Sequence, residues 1–281
     1  MDVELLRKEY SRRGFVQLGN LLSSSLVDDF KADLTSRIEQ AYTSRQPVAA
    51  FDKANGSHDR NPIFLDSGSS ATVLHEPIAF DWHSLPDFGQ YAECVARIGH
   101  GLHVVHGPVQ EWLPSSPLGT YSRASGRIRP AVVETMYVRK SRWADPLPPH
   151  LDHTYLWTDP PSVQVVWIAL DHADQSNGAL LVDLAGPHRQ SPRRLVRHGD
   201  EATLRDVDGV PADRLDHTRL RDLTLIPCNS GDGIMIDGLV AHGSGTSMSG
   251  ASRDALAVHI VDLECEWAET NYLGNMVPLE L

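Results

Sequence analysis

Three cysteines in 281 residues, Cys94, Cys228 and Cys265, are too few and too scattered for a disulfide framework, and no C-x-x-C pair offers a thiolate zinc site. They suit a reducing cytoplasm. Long apolar runs are missing too: no stretch approaches 18 uninterrupted apolar residues, and the opening MDVELLRKEYSRRGF is charged and helical in pattern, so neither a membrane span nor a secretory leader is expected. Positive charge is in deficit. With 25 Lys and Arg against 37 Asp and Glu, the formal net charge of −12 opposes sequence-independent attraction to phosphate backbones or anionic membranes, so nucleic acid is not an expected partner. Internal repeats and low-complexity tracts are absent. What remains is ordinary globular composition, 41% hydrophobic and 22% charged, with apolar surface enough for a proper core.

The first hundred residues read as a helical preface. Val3 to about Arg13 is an amphipathic helix stopped by Gly14, FVQL is a brief strand, and serines 23 to 25 cap a helix on which Val27, Phe30, Leu34, Ile38 and Ala41 recur at helical spacing. Residues 45–80, rich in Asn, Gly, Ser, Asp and Pro, read as a long surface excursion of the kind that serves as a lid, and a further helix is expected from about Phe88 to Ile98. Beyond residue 100 the texture changes to short apolar runs between turn residues: LHVVH, AVVETMYV, VQVVWIAL, ALLVDL, LTLIP, GIMID and ALAVHIVDL. The fold class is therefore mainly β with flanking helices, a sandwich or jelly-roll barrel, read as a single domain over 1–281 with its core at 101–265. The polar segment 189–222 reads as a solvent-exposed insertion whose arginines, Arg193, Arg194 and Arg197, form a solvated face or gather an anionic substrate.

Metal chemistry enters through H-x-D, which occurs at His150-Leu151-Asp152, His172-Ala173-Asp174 and His198-Gly199-Asp200. A non-haem iron site holds its ion on one face with two imidazoles and one carboxylate. A His and an Asp two residues apart on a strand point to the same side, so both reach one ion. Only the first copy stands where a barrel strand is expected to begin; the second opens a turn and the third lies in the polar insertion. His242, in LVAHGSG after the strand GIMID, is the candidate second imidazole. Arg253 follows on the next strand, where an antiparallel pairing brings its rigid fork to the deep end of the pocket, suited to a carboxylate.

Taken in order, H-L-D-H-T-Y (150–155), V-V-W-I-A-L-D (165–171), N-G-A-L (177–180), G-P-H-R (186–189), G-D (231–232), H-G-S-G (242–245) and Arg253 resemble the phytanoyl-CoA dioxygenase family in sequence and spacing. The similarity covers about 130–262, and the opening with GFVQL looks like the family's own. The resemblance implies a double-stranded β-helix, cupin-like, with Fe(II) held by His150, Asp152 and His242. It also implies 2-oxoglutarate as co-substrate, its distal carboxylate on Arg253 assisted by Ser244, and O2 as oxidant, with succinate and CO2 released and a substrate hydroxylated. Trp167 and Tyr155 match positions lining the co-substrate pocket in similar proteins, with Thr135 and Tyr137 weaker matches of the same kind. Gly186-Pro187-His188-Arg189 departs from the family's G-S-H-R turn without removing a ligand. Asp152 stands where related halogenases carry a small residue, which disfavours chlorination.

His103, His106, His153 and His259 receive no catalytic role, as histidines on or beside apolar strands are more often hydrogen-bonded core or pocket residues than ligands. The expected partner is a small-molecule substrate in specialised metabolism, a free metabolite rather than a CoA thioester, given the acidic balance. Two other readings exist: a non-catalytic jelly-roll binding protein, and a cupin-like hydrolase or isomerase in which the same ligands hold zinc. The first is expected to have lost a ligand or the arginine; the second has no use for Arg253 beside Ser244.

Overall fold

Helix Val3–Arg13 starts at Asp2, whose carboxylate accepts from the Leu5 amide, and stops at Gly14, whose φ of 73° few other residues adopt without strain. Helix Ser24–Thr43 is capped by the Ser23 hydroxyl and buries Val27, Phe30, Leu34, Ile38 and Ala41, the five residues whose spacing marks its inner face. The computed structural model describes residues 2–51, 61–77, 87–188, 190–210 and 219–281.

The helices cover one face of a large sheet ordered Phe15–Leu18, Gly233–Asp237, Gln164–Ala169, Arg253–Asp262, Pro130–Lys140, Val95–His100, Ala71–His75 and Ala49–Ala50, with Leu279–Glu280 also pairing to Pro130–Lys140. Every pairing except that of the last two strands in this order is antiparallel. Side chains alternate across it with period 2. Along Arg253–Asp262, Leu256, Val258 and Ile260 pack with the helices, while Ala257 and His259 face a cavity on the other side. Beyond that cavity lies a short four-stranded sheet ordered Thr224–Ile226, Leu180–Val182, His242–Ser244 and Leu147–His150. Val165, Trp167, Ile234 and Ile236 of the large sheet pack with Leu180, Val182 and Ile226 of the small one. The expected mainly β, jelly-roll architecture is borne out.

Several local expectations are corrected. The helix from Phe88 ends at Glu93, and Val95–His100 is a strand, because its apolar positions are buried on both faces between two neighbouring strands. LHVVH is a turn, followed by helices Pro108–Trp112 and Leu118–Ala124. The preface is thus woven into the large sheet through four of its strands rather than set apart from a core starting near residue 101. The insertion contains a hairpin, Arg193–His198 with Glu201–Asp206, that buries Leu195 and Ala202. Of the supposed lid, residues 52–60 and 78–80 lie outside the described residues, as do Arg189 and 211–218 of the insertion; the rest holds strand Ala71–His75 and helix Pro62–Leu65. No described helix is long and apolar enough to cross a membrane.

His75 ends its strand fully enclosed against the Tyr91 ring, 4.6 Å away, and burial pushes its imidazole down to about 4. Below pH 6.5 the unfolded chain takes up a proton that the folded chain refuses, so stability falls as pH drops from about 6.5 to about 4, by roughly 3 kcal/mol at most from this group. Denaturant titrations across that window are expected to show a shallower fall for His75→Phe than for the parent protein; identical slopes would remove His75 from the account.

Candidate metal centre

Strand His242–Ser244 runs between Leu180–Val182 and Leu147–His150, with His242 directly opposite His150. Gly243 permits this approach, since a Cβ there would lie 2.6 Å from the Leu147 carbonyl oxygen. His150 ends a short strand rather than beginning a barrel strand, and the chain then enters one 3-10 turn, Asp152–Thr154. That turn, not strand alternation, brings the carboxylate under the imidazoles.

Each ring is anchored from behind. His150 Nδ1 donates to the Pro148 carbonyl and His242 Nδ1 to the Val240 carbonyl, both at 3.0 Å, which leaves both Nε2 atoms as lone-pair donors facing inward. Both Nε2 atoms sit 3.6 Å from Asp152 Oδ1. The three candidate ligand atoms lie within 4.8 Å of one another, and among the described residues no other cluster of His, Cys, Asp and Glu meets that condition. Ligands about 2.1 Å from one ion stand only a little closer than this, so the donor set fits a divalent metal with small movements. A second observation agrees: Asp152 Oδ2 is buried and has no hydrogen-bond partner.

The electrostatics prepare the same state. Burial pushes the His242 imidazole down to about 4 against the pull of Asp152, so it is neutral and able to ligate near pH 7. Burial alone would raise the Asp152 carboxyl, but His242, His150 and His259 outweigh it and hold it well below the usual carboxylate range.

His259 was not expected here. Alternation from Arg253 through 255 and 257 puts it on the cavity face, and that parity was the signal available in the sequence. Its Nε2 lies 3.8 Å from Asp152 Oδ1, and its Nδ1 pairs with Glu134 Oε2 at 2.9 Å. Glu134, also buried, accepts from the Tyr272 hydroxyl at 2.5 Å. Burial opposes charge on both partners, yet the pair prevails, lifting His259 to about 10 and holding Glu134 at about 2.

Arg253 stands at the other end, 2% exposed, with its guanidinium 5.0 Å over the Trp167 ring. One Nη2 hydrogen bond reaches the Gly178 carbonyl at 2.6 Å, while Nε and Nη1 are buried without partners. Gly178 makes this contact from a turn at φ 79°, as the N-G dipeptide implies. Burial lowers the Arg253 pKa to about 10, which leaves it a cation at neutral pH. Two idle donors on a buried cation are costly unless a ligand anion takes them.

Ser244, Trp167 and Tyr155 line the same cavity, of about 240 Å³. Thr135 does not: opposite Val258, it faces the helices, and its hydroxyl binds the amide and ring of His103. Tyr137 follows the same parity and donates to Asp33. The other H-x-D copies are exposed, His172 and Asp174 at 59% and 43% of their side chains and His198 and Asp200 at the hairpin turn. The insertion arginines are structural: Arg197 binds the Leu65 and Tyr272 carbonyls and Asp66, Arg194 binds Thr270, and Arg193 pairs with Asp206.

Asp152→Ala and His242→Ala are expected to weaken Mn(II) binding by about a hundredfold or more in titration calorimetry. Thr135→Val should leave that affinity unchanged while costing roughly 1–3 kcal/mol of stability, because it strips a buried amide and imidazole of their partner.

Residues 10–255 match the family model for phytanoyl-CoA dioxygenase. Phytanoyl-CoA dioxygenase 1 of Oryza sativa subsp. japonica is 27% identical over 272 residues, covering 96% of this chain and 92% of its own. Among solved structures, the non-heme alpha ketoglutarate dependent carbocyclase SnoK from nogalamycin biosynthesis superposes with a TM-score of 0.63 at 15% identity, over 96% of this chain and 87% of that one. AviO1 from Streptomyces viridochromogenes gives 0.62 at 20% identity, over 95% and 98%.

Proposed function

Because the chain belongs to the phytanoyl-CoA dioxygenase family, whose members are 2-oxoglutarate-dependent non-haem iron oxygenases, we propose that it hydroxylates a small organic metabolite, releasing succinate and CO2. The observation that carries this reading is the pairing, in one cavity, of a His-Asp-His cluster with a buried, half-idle guanidinium. Bound Fe(II) with 2-oxoglutarate and O2 would supply the oxidising power.

The chain's own residues do the rest. His150, Asp152 and His242 hold the ion on one side, each ring fixed by a backbone carbonyl so that no reorientation is needed on loading. Arg253 orients the co-substrate through its distal carboxylate, for which Nε and Nη1 are free, and Ser244 adds a hydroxyl from the small sheet across the cavity. Trp167 and Met136 wall the cavity with apolar surface, excluding water around charges that then act in a low dielectric. A place in specialised metabolism agrees with the nogalamycin pathway to which the similar SnoK belongs. A cytoplasmic setting agrees with three free cysteines, of which Cys94 and Cys228 are buried and held as thiols, at about 12 and about 11. A zinc hydrolase or a metal-free binding protein would carry Arg253 at a cost with nothing to offset it.

Anaerobic addition of Fe(II) and 2-oxoglutarate should produce the weak visible absorption of a chelated 2-oxoacid, and His150→Ala or Asp152→Ala should abolish it. Arg253→Ala should raise the 2-oxoglutarate concentration needed by roughly ten- to a hundredfold while sparing Mn(II) binding, the scale of one lost charge-assisted hydrogen bond. An unchanged 2-oxoglutarate requirement in that variant would refute its role.

A further inference from the structure

We propose that the substrate is an elongated, largely apolar molecule whose reacting end enters the metal cavity while its body lies in an adjoining groove walled by Pro148, Pro149, Leu204 and Leu220; this deepens the oxygenase reading above and rests on it. The metal cavity offers about 240 Å³, below the roughly 300–1,000 Å³ of ordinary small-molecule pockets, and 2-oxoglutarate claims part of it. What is left holds the reacting end of a substrate rather than a whole molecule of ordinary size.

The way out is marked. A second hollow of about 500 Å³ lies beside the first and shares Pro148, Pro149, His150 and Tyr155 with it. Of the three candidate ligands, His150 has the most exposed side chain, 19% against 8% for Asp152 and 7% for His242, so the centre opens on the side of that hollow.

The hairpin Arg193–His198 with Glu201–Asp206 joins the two spaces. Leu195, buried, lines the inner cavity, and Leu204, its direct partner across the hairpin, lines the outer groove. Directly paired residues project to the same face, so one apolar wall runs from inside to outside. Leu204 is 45% exposed. A solitary leucine in water needs no explanation, but this one continues a cavity wall and borders the same groove as Pro146, Pro148, Pro149 and Leu220. Prolines lose no rotamer freedom on contact, which makes them a rigid platform for an apolar body. No Asp or Glu lines the groove among the described residues. Of its two guanidiniums, Arg193 pairs with Asp206 at 3.3 Å and Arg219 is exposed, where a charge contributes little. The groove therefore selects on apolar length.

The test uses the full chain loaded anaerobically with Fe(II) and saturating 2-oxoglutarate, with N-ethyl-, N-butyl- and N-hexylbenzamide as uncharged probes in titration calorimetry. Affinity is expected to rise roughly tenfold for each two methylenes added, with the visible absorption of the loaded site retained, so that 2-oxoglutarate stays in place. Leu204→Asp should remove most of the gain from butyl to hexyl while leaving the ethyl probe and Mn(II) binding at parent levels, and Leu204→Met should keep the gain. Should Leu204→Asp fail to fold, Leu204→Ser takes its place. A flat series from ethyl to hexyl, no binding of any of the three at millimolar concentration, or a chain-length gain that survives the loss of Leu204 would each overturn the proposal. Failure of 2-oxoglutarate itself to bind the parent protein would instead strike the oxygenase reading, which separates the two failures.

Discussion

A carboxylate withdrawn from water with one oxygen unpaired is among the costliest groups a protein can hold, and the site is organised around keeping Asp152 in that condition. Three imidazoles surround it, two of them on adjacent strands locked opposite each other. Their rings cannot swing away, because each is tethered to a carbonyl two residues before it. The third, His259, is held by Glu134 and through it by Tyr272. The arrangement tolerates a buried negative charge without extinguishing it, so an arriving cation finds a carboxylate that has not been committed to a single protein donor.

Much of this was legible in the chain. Period-3.6 spacing marked the buried face of helix Ser24–Thr43 residue by residue, and H-x-D with a later H-G-S-G and Arg253 named the groups that converge. The misses share a cause. Thr135 was placed by likeness, although counting across the antiparallel pair puts it with Val258 on the helix face and Glu134 with His259 on the cavity face. His259 was left as a core or pocket histidine without a role, when parity with Arg253 already aligned it with the site. Arg97 fell inside a segment read as helix, and a helix hides the alternation that would have aimed it at the cavity. Pairing partners, which no local pattern supplies, decide which face of a strand does chemistry.

The two sheets divide labour by length. The large one carries strands of up to 11 residues, shielded by helices on its far side, and contributes Arg253, His259, Trp167 and Arg97 to the cavity. The small one is made of strands of three or four residues and carries His150, His242 and Ser244. Strands that short hold few ladder hydrogen bonds, so their register depends on packing against Val165, Trp167, Ile234 and Ile236. The hairpin Arg193–His198 with Glu201–Asp206 adds Leu195 to the aromatic wall, which makes the polar insertion part of the cavity rather than an ornament on it.

The cavity draws its walls from Phe51 through Tyr272, so no contiguous stretch of the chain contains it and several long-range pairings must close before it exists. Loading the centre therefore favours the finished fold over all partly folded forms alike, by mass action. A chain of this design announces its own completion: saturation with metal and co-substrate is a measure of how many molecules have reached the native topology, and fragments or nicked chains that keep most of their secondary structure are silent in that assay.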